Sequence, residues 1–146
     1  MNSKLDLFMP DLTSVMSLPF ADDGIKAGFP SPAQDMTSGA IDLNKELIHH
    51  PATTFYARVV GDSMVDAGIE DGDLLVIDKS LSPVEGDKVV AFIDGEFTIK
   101  YIRKGEDCYW LVPANEEYEP IRVTEENDFL IWGVVTYSIK KQRGRK

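Results

Sequence analysis

After Pro51 the chain settles into short apolar runs separated by turn residues: TTFYARVV, DLLVID, DKVVAFI, EFTIKYI, CYWLVP, PIRV and FLIWGVVTYSI. Each is rich in Val, Ile, Phe, Tyr or Trp, side chains that suit a pleated, half-buried surface. Between them, EDGD, SPVEGD, DGE, RKGED and ANEEYEP supply the Gly, Asp and Asn that turns need. Asp94-Gly95, flanked by two such runs, suits a two-residue type I′ hairpin. The pattern predicts a mainly β protein, with a compact antiparallel domain of about seven strands over residues 44–139.

Residues 1–43 follow neither a helical nor a strand period. Prolines at 10, 19, 30 and 32 and glycines at 24, 28 and 39 interrupt each run before it grows. This predicts an extended N-terminal arm with at most brief strand pairing. IDLNKELIHHP predicts one short helical turn, with Asn44 as its N-cap and Pro51 beyond its end. Residues 140–146, KKQRGRK, form a basic tail.

Composition narrows the functional classes. A chain of 146 residues is enough for one domain with a real core. Its formal charge of −10 would repel a duplex, which disfavours a nucleic-acid-binding body. The tail, with five basic residues in its last seven positions, is either a solvated end or a contact for nucleic acid or an acidic partner. Cys108 is alone, which excludes an internal disulfide framework. No apolar stretch approaches the ~20 residues of a membrane span, and the N-terminus lacks the basic-then-apolar order of a signal peptide. These features predict a soluble cytoplasmic protein. No His or Cys cluster has zinc-binding spacing, so neither metal nor cofactor is expected.

GDSM, residues 61–64, follows the run FYARVV and opens onto a loop-like stretch, VDAGIEDGD. A strand ending at Val60 and turning at Gly61 would hold the Ser63 hydroxyl at an exposed corner. The backbone N–H groups of Asp62 and Ser63 could then face a developing oxyanion. Ser63 could equally cap a short turn at a strand end. As a nucleophile it would need a base, and the two histidines, His49 and His50, are adjacent and aim to different sides of any regular element. Lys100, in EFTIKYI, is the other acceptor. On a strand it shares a face with Thr98 and Ile102, opposite Phe97, Ile99 and Tyr101, and alternation also permits it to face solvent. At an unperturbed pKa near 10.4 only about one lysine in 2,500 is neutral at pH 7; burial that lowered it to ~8 would raise that to roughly a tenth.

Taken together and in order, GDSMVDAGIEDGDLLVID, DGEFTIK, LVPANEEYEPI and WGVV resemble the LexA/UmuD family of self-cleaving SOS-response proteins, over about residues 28–138. The resemblance implies a LexA- and signal-peptidase-like β fold in which Ser63 is the nucleophile and Lys100 the general base. It also implies cleavage of the chain's own Ala27-Gly28 bond, within KAGFPSPAQD. Only 27 residues precede Gly28, too few for a helix-turn-helix domain, and GFPSPAQD and IDLN are similar to the polymerase-accessory branch rather than to the repressors. That branch implies a homodimer, a RecA filament on single-stranded DNA that promotes cleavage, and a UmuC-type polymerase joined by the shortened product. No sequence-specific DNA binding is expected. SVMSLPFADD resembles the apolar-aromatic patch through which such proteins touch the sliding clamp. The alternatives are a LexA-like repressor fragment and a non-catalytic β binding module. Type I signal peptidase, which shares the Ser-Lys chemistry, would need a membrane anchor.

Overall fold

The computed structural model of the chain describes residues 4–15, 17–21 and 37–144. Ala27-Gly28 lies outside the described residues. The chain divides into two compact units, Asp11–Pro51 and a larger one made of Met1–Pro10 with Ala52–Lys146.

The larger unit is one antiparallel sheet of eight strands. They are β1 (Lys4–Phe8), β4 (Thr54–Val60), β5 (Leu74–Asp78), β6 (Lys88–Ile93), β7 (Glu96–Lys104), β8 (Tyr109–Val112), β9 (Ile121–Val123) and β10 (Phe129–Ile139). Their order across the sheet is β1-β4-β5-β10-β6-β7-β8-β9. The seven apolar runs after Pro51 correspond to β4 through β10. Asp94 and Gly95 both take positive φ, 48° and 93°, between β6 and β7, as a type I′ hairpin requires.

The eighth strand comes from the N-terminus. The pattern predicts an arm over 1–43 and a β domain beginning at 44; the compact units divide instead after Pro10 and after Pro51. Lys4–Phe8 pairs with β4 from Lys4↔Val60 to Phe8↔Tyr56. KLDLF carries a short period-two alternation, and backbone pairing along an otherwise open edge is what makes so brief a strand stable.

In the smaller unit, β2 (Ser17–Ala21) and β3 (Thr37–Asp42) pair antiparallel, and a short helix α1 (Leu43–Leu47) follows. The helix cap is Asp42 rather than the predicted Asn44: Asp42 is extended, and its carboxylate accepts the Asn44 N–H at 3.1 Å. Asn44 is the second residue of the helix, and its side-chain amide donates to the Ser14 carbonyl at 2.9 Å. The helix starts earlier because a carboxylate oxygen at its first turn satisfies an otherwise unpaired N–H.

Two apolar clusters make the core of the large sheet. Ala57, Val59, Met64, Ile69, Leu75, Ile77, Val90 and Ile99 form one. Val89, Ala91, Ile93, Ile102, Leu111, Val123 and Val134 form the other. Consecutive residues of β6 and β7 supply opposite clusters, so both faces of these central strands are dry. On one face Phe97 meets Phe92 edge-on at 5.2 Å and Trp132 at 6.0 Å.

β10 switches partners midway, pairing with β6 through Val134 and with β5 from Val134 onward, with irregular register on each side of the switch. Gly133 sits at that point because a Cβ there would lie 2.6 Å from Ile77 Cγ2 and 3.3 Å from the Asp78 carbonyl oxygen. Ile77 is fully buried and its Cγ2 is attached close to the backbone, so neither contact can yield cheaply. Gly133→Ala is expected to destabilise the protein by roughly 1–3 kcal/mol in urea titration, whereas Gly72→Ala, which meets nothing within 4 Å, costs only its positive-φ strain.

Candidate active site

The turn that carries Ser63 begins where β4 ends. Gly61 takes φ 108°, a conformation that disfavours any side chain, and its N–H donates to Asp71 Oδ1 at 2.9 Å. A 3-10 turn over Val65–Ala67 closes at Gly68, whose φ of 78° is left-handed. Met64, fully buried, anchors this turn in the core, and its carbonyl accepts the N–H groups of Ala67 and Ile69. Pulled down with it, Ser63 is 0% exposed, not at the open corner that the local pattern predicts.

Lys100 reaches the same point from the middle of β7. Strand alternation permits a solvent-facing side chain there; the structure buries it completely, at 0% exposure. Its cross-strand neighbour is Val89, and Ala91 stands opposite Thr98. Directly opposed residues share a face, so the lysine stem lies among apolar groups. That surrounding strips water from the ammonium, and burial pushes its pKa down from 10.5 to about 8.

The amine makes three contacts. It lies 3.0 Å from Ser63 Oγ, 2.5 Å from Thr98 Oγ1 and 3.0 Å from the Ile99 carbonyl oxygen. As an ammonium, Lys100 donates to all three. As a neutral amine it has two N–H groups and one lone pair. The Ile99 carbonyl can only accept and therefore takes one N–H. With the second N–H on Thr98, the lone pair is left facing the Ser63 hydroxyl. Loss of one proton thus turns the Ser63 contact from a bond the lysine donates into one it accepts.

Thr98 was missed as a partner in the sequence, although the two-residue offset puts it on Lys100's face. It is buried, at 0% exposure. Asn115 and Tyr118 were missed for a different reason. Both bond Asp62, from 53 and 56 residues away in sequence, and no local signal spans that distance. His49 and His50 are exposed and belong to the smaller unit. Among the described residues no group of three or more His, Cys, Asp or Glu is arranged to hold a metal ion, and no helix is long and apolar enough to cross a membrane.

An antiparallel sheet with a serine on a glycine turn, hydrogen-bonded to a desolvated lysine, falls in the class of β-sheet serine peptidases. Comparison with known proteins narrows the class. Residues 19–136 match the family described as Peptidase S24-like. The chain is 44% identical over 138 residues to Protein SamA of Salmonella typhimurium, covering 94% of this chain and 96% of SamA. It is 41% identical over 139 residues to Protein MucA of Escherichia coli, covering 93% and 94%. A LexA repressor of Mycobacterium sp. is 39% identical over 117 residues, which cover 80% of this chain and 49% of the repressor. The chain belongs to the Peptidase S24-like family, the LexA/UmuD family of self-cleaving serine peptidases.

Keeping Lys100 dry has a thermodynamic signature. Lowering its pKa from 10.5 to about 8 costs roughly 3 kcal/mol at pH 7, at about 1.4 kcal/mol per pH unit. Between pH 8 and 10.5 the unfolded chain holds a proton that the folded chain has released, so stability rises with pH across that window. Lys100→Met removes this dependence. In a Ser63→Ala background its stability relative to the lysine parent is expected to fall by about 2 kcal/mol between pH 7 and pH 10. Urea titration at the two pH values measures the difference.

Proposed function

We propose that Ser63 is the nucleophile and Lys100 the general base of a self-cleavage reaction at Ala27-Gly28. The Ser63 Oγ forms a bond to the Ala27 carbonyl carbon while Lys100 takes the hydroxyl proton. The tetrahedral oxyanion is met by the backbone N–H groups of Asp62 and Ser63. The carbon–nitrogen bond breaks, Lys100 returns the proton to the Gly28 amine, and water then hydrolyses the acyl-serine. Residues 28–146 are released. The observation that carries this reading is the 3.0 Å contact between a fully buried lysine amine and the Ser63 hydroxyl.

The tethered substrate makes the step effectively unimolecular, so docking or withholding the arm is sufficient to control it. A small residue before the bond and glycine after it let an extended segment approach the hydroxyl closely.

The proposal extends to the SOS mutagenesis pathway, supported by the similarity to SamA and MucA over 93% or more of each chain. On this reading the chain is a UmuD-type homodimer. A RecA filament on single-stranded DNA promotes the cut, and the shortened form joins a UmuC-type polymerase in the cytoplasm for error-prone translesion synthesis. Leu18, 53% exposed in β2, is available to the sliding clamp in that setting.

The cleavage rate of purified protein is expected to rise about tenfold from pH 7 to pH 9 and then level off, following the neutral fraction of a lysine titrating near 8. A rate that is flat from pH 7 to 10 contradicts a lysine base. Ser63→Ala and Lys100→Ala should both stay intact with or without RecA filaments, and mass spectrometry of the wild-type product should find Gly28 as its first residue.

A further inference from the structure

The loop between β8 and β9, residues 113–120, holds the nucleophile turn at four points. The Asn115 side-chain amide donates to the Asp62 carbonyl at 2.9 Å, and the Tyr118 hydroxyl donates to Asp62 Oδ1 at 2.6 Å. The Ala114 N–H donates to the Ser63 carbonyl at 2.9 Å, and the Asp66 N–H to the Ala114 carbonyl at 2.7 Å. The orientation of the Asn115 amide follows from its other end. Its Oδ1 accepts the Glu117 N–H at 2.9 Å, so its NH2 group is the one that faces Asp62.

What these bonds constrain is decided by peptide geometry. A trans peptide is a rigid plane whose C=O and N–H point in opposite directions. Anchoring the Asp62 carbonyl therefore sets the direction of the Ser63 N–H. Anchoring the Ser63 carbonyl does the same for the Met64 N–H. Together the two planes also set where the Ser63 side chain leaves the backbone, and so how Oγ meets the Lys100 amine. Two main-chain bonds through Ala114 and Asp66 already tie the loops together. Asn115 adds a bond to the one carbonyl whose peptide carries the nucleophile's own N–H.

The geometry points to Asn115 as a positioning residue for self-cleavage, acting through the peptide that joins Asp62 to Ser63, with the Tyr118–Asp62 bond as a second hold on the same residue. This rests on the reading of Ser63 as the nucleophile. Asn115 touches no reacting atom; its effect is on the angle at which the hydroxyl and its N–H are presented. Tyr118 is suited to the second hold, since the Asp62 carboxylate that accepts its hydrogen bond raises the phenol's pKa above the ordinary 10.0. The bond therefore survives in the mildly alkaline range where neutral Lys100 accumulates.

The test uses the full chain and compares Asn115→Asp, Asn115→Ala and Ser63→Ala with wild type, measuring first-order self-cleavage from pH 7 to 10 alongside thermal melting. Asn115→Asp keeps the shape of the side chain and an oxygen for the Glu117 N–H, but it presents an acceptor where Asp62 needs a donor. It is expected to slow cleavage about 100-fold, the loss a small misplacement of reacting groups can cause, with Asn115→Ala slowed comparably. The midpoint of the pH–rate curve of Asn115→Ala should stay where it is in wild type, because that change adds no charge near Lys100. The comparison is made at temperatures where melting shows each variant folded, and restoration of rate by cooling a partly unfolded variant counts against the positioning role. An Asn115→Asp rate within threefold of wild type overturns it, and so does a midpoint moved by a pH unit or more in Asn115→Ala. Cleavage that survives Ser63→Ala overturns the nucleophile reading and the positioning role with it, whereas cleavage lost in Ser63→Ala but kept in Asn115→Asp overturns the positioning role alone.

Discussion

A lysine amine with no solvent exposure, shared among a threonine hydroxyl, a main-chain carbonyl and a serine hydroxyl, is the constraint around which this sheet is organised. Keeping that amine dry requires more than a pocket. Its strand must be covered on both faces, and β7 is: Ile99 packs into one apolar cluster and Ile102 into the other. It must also have neighbours on both edges, and β6 and β8 supply them. A cost of roughly 3 kcal/mol is a substantial share of the 5–15 kcal/mol by which domains are usually stable. The surrounding core therefore has to be complete before the lysine's pKa falls.

With Lys100 as the proposed base, the chemistry would depend on folding in a way that a histidine base would not. A histidine is largely neutral at pH 7 whether folded or unfolded. A lysine is neutral only where burial makes it so. In the unfolded chain Lys100 is charged and inert, and a serine without a base is a poor nucleophile. For a peptidase whose substrate is its own backbone, reactivity that appears only with the finished sheet avoids cutting a chain still being assembled.

The serine and the lysine are supplied by elements of different character. Lys100 stands in a nine-residue strand paired along both edges, so its position is set by register. Ser63 stands in a turn with no ladder of its own. The turn is fixed by a glycine conformation, by the buried Met64, by Asp71 and by the loop 113–120. The precision of the pair comes from the strand on one side and from side-chain hydrogen bonds on the other. Under the proposed mechanism, uncharged changes in the turn's anchors would reach the reaction through geometry rather than through the acidity of the lysine.

Much of this could be read from the residues alone. The alternating and apolar runs from β4 to β10, the Asp94-Gly95 hairpin and the GDSM turn are local patterns, set by side-chain period and by backbone preferences within a few residues. The family blocks then linked Ser63 to Lys100, 37 positions apart. The burial of Lys100 was not legible, because strand alternation says which residues share a face and not whether that face is covered. Nor was the burial of Ser63, which depends on Met64 entering the core, or the addition of β1 across some 50 residues of intervening chain. Asn115 and Tyr118 show the limit most clearly: their partner, Asp62, is near only because β8 and β9 bring the connecting loop to the end of β4. Local pattern was enough for the seven strands after Pro51, their turns and the reactive residue types. Which of these are dry and which meet follows from tertiary contacts, because desolvation and hydrogen-bond geometry depend on residues distant along the chain.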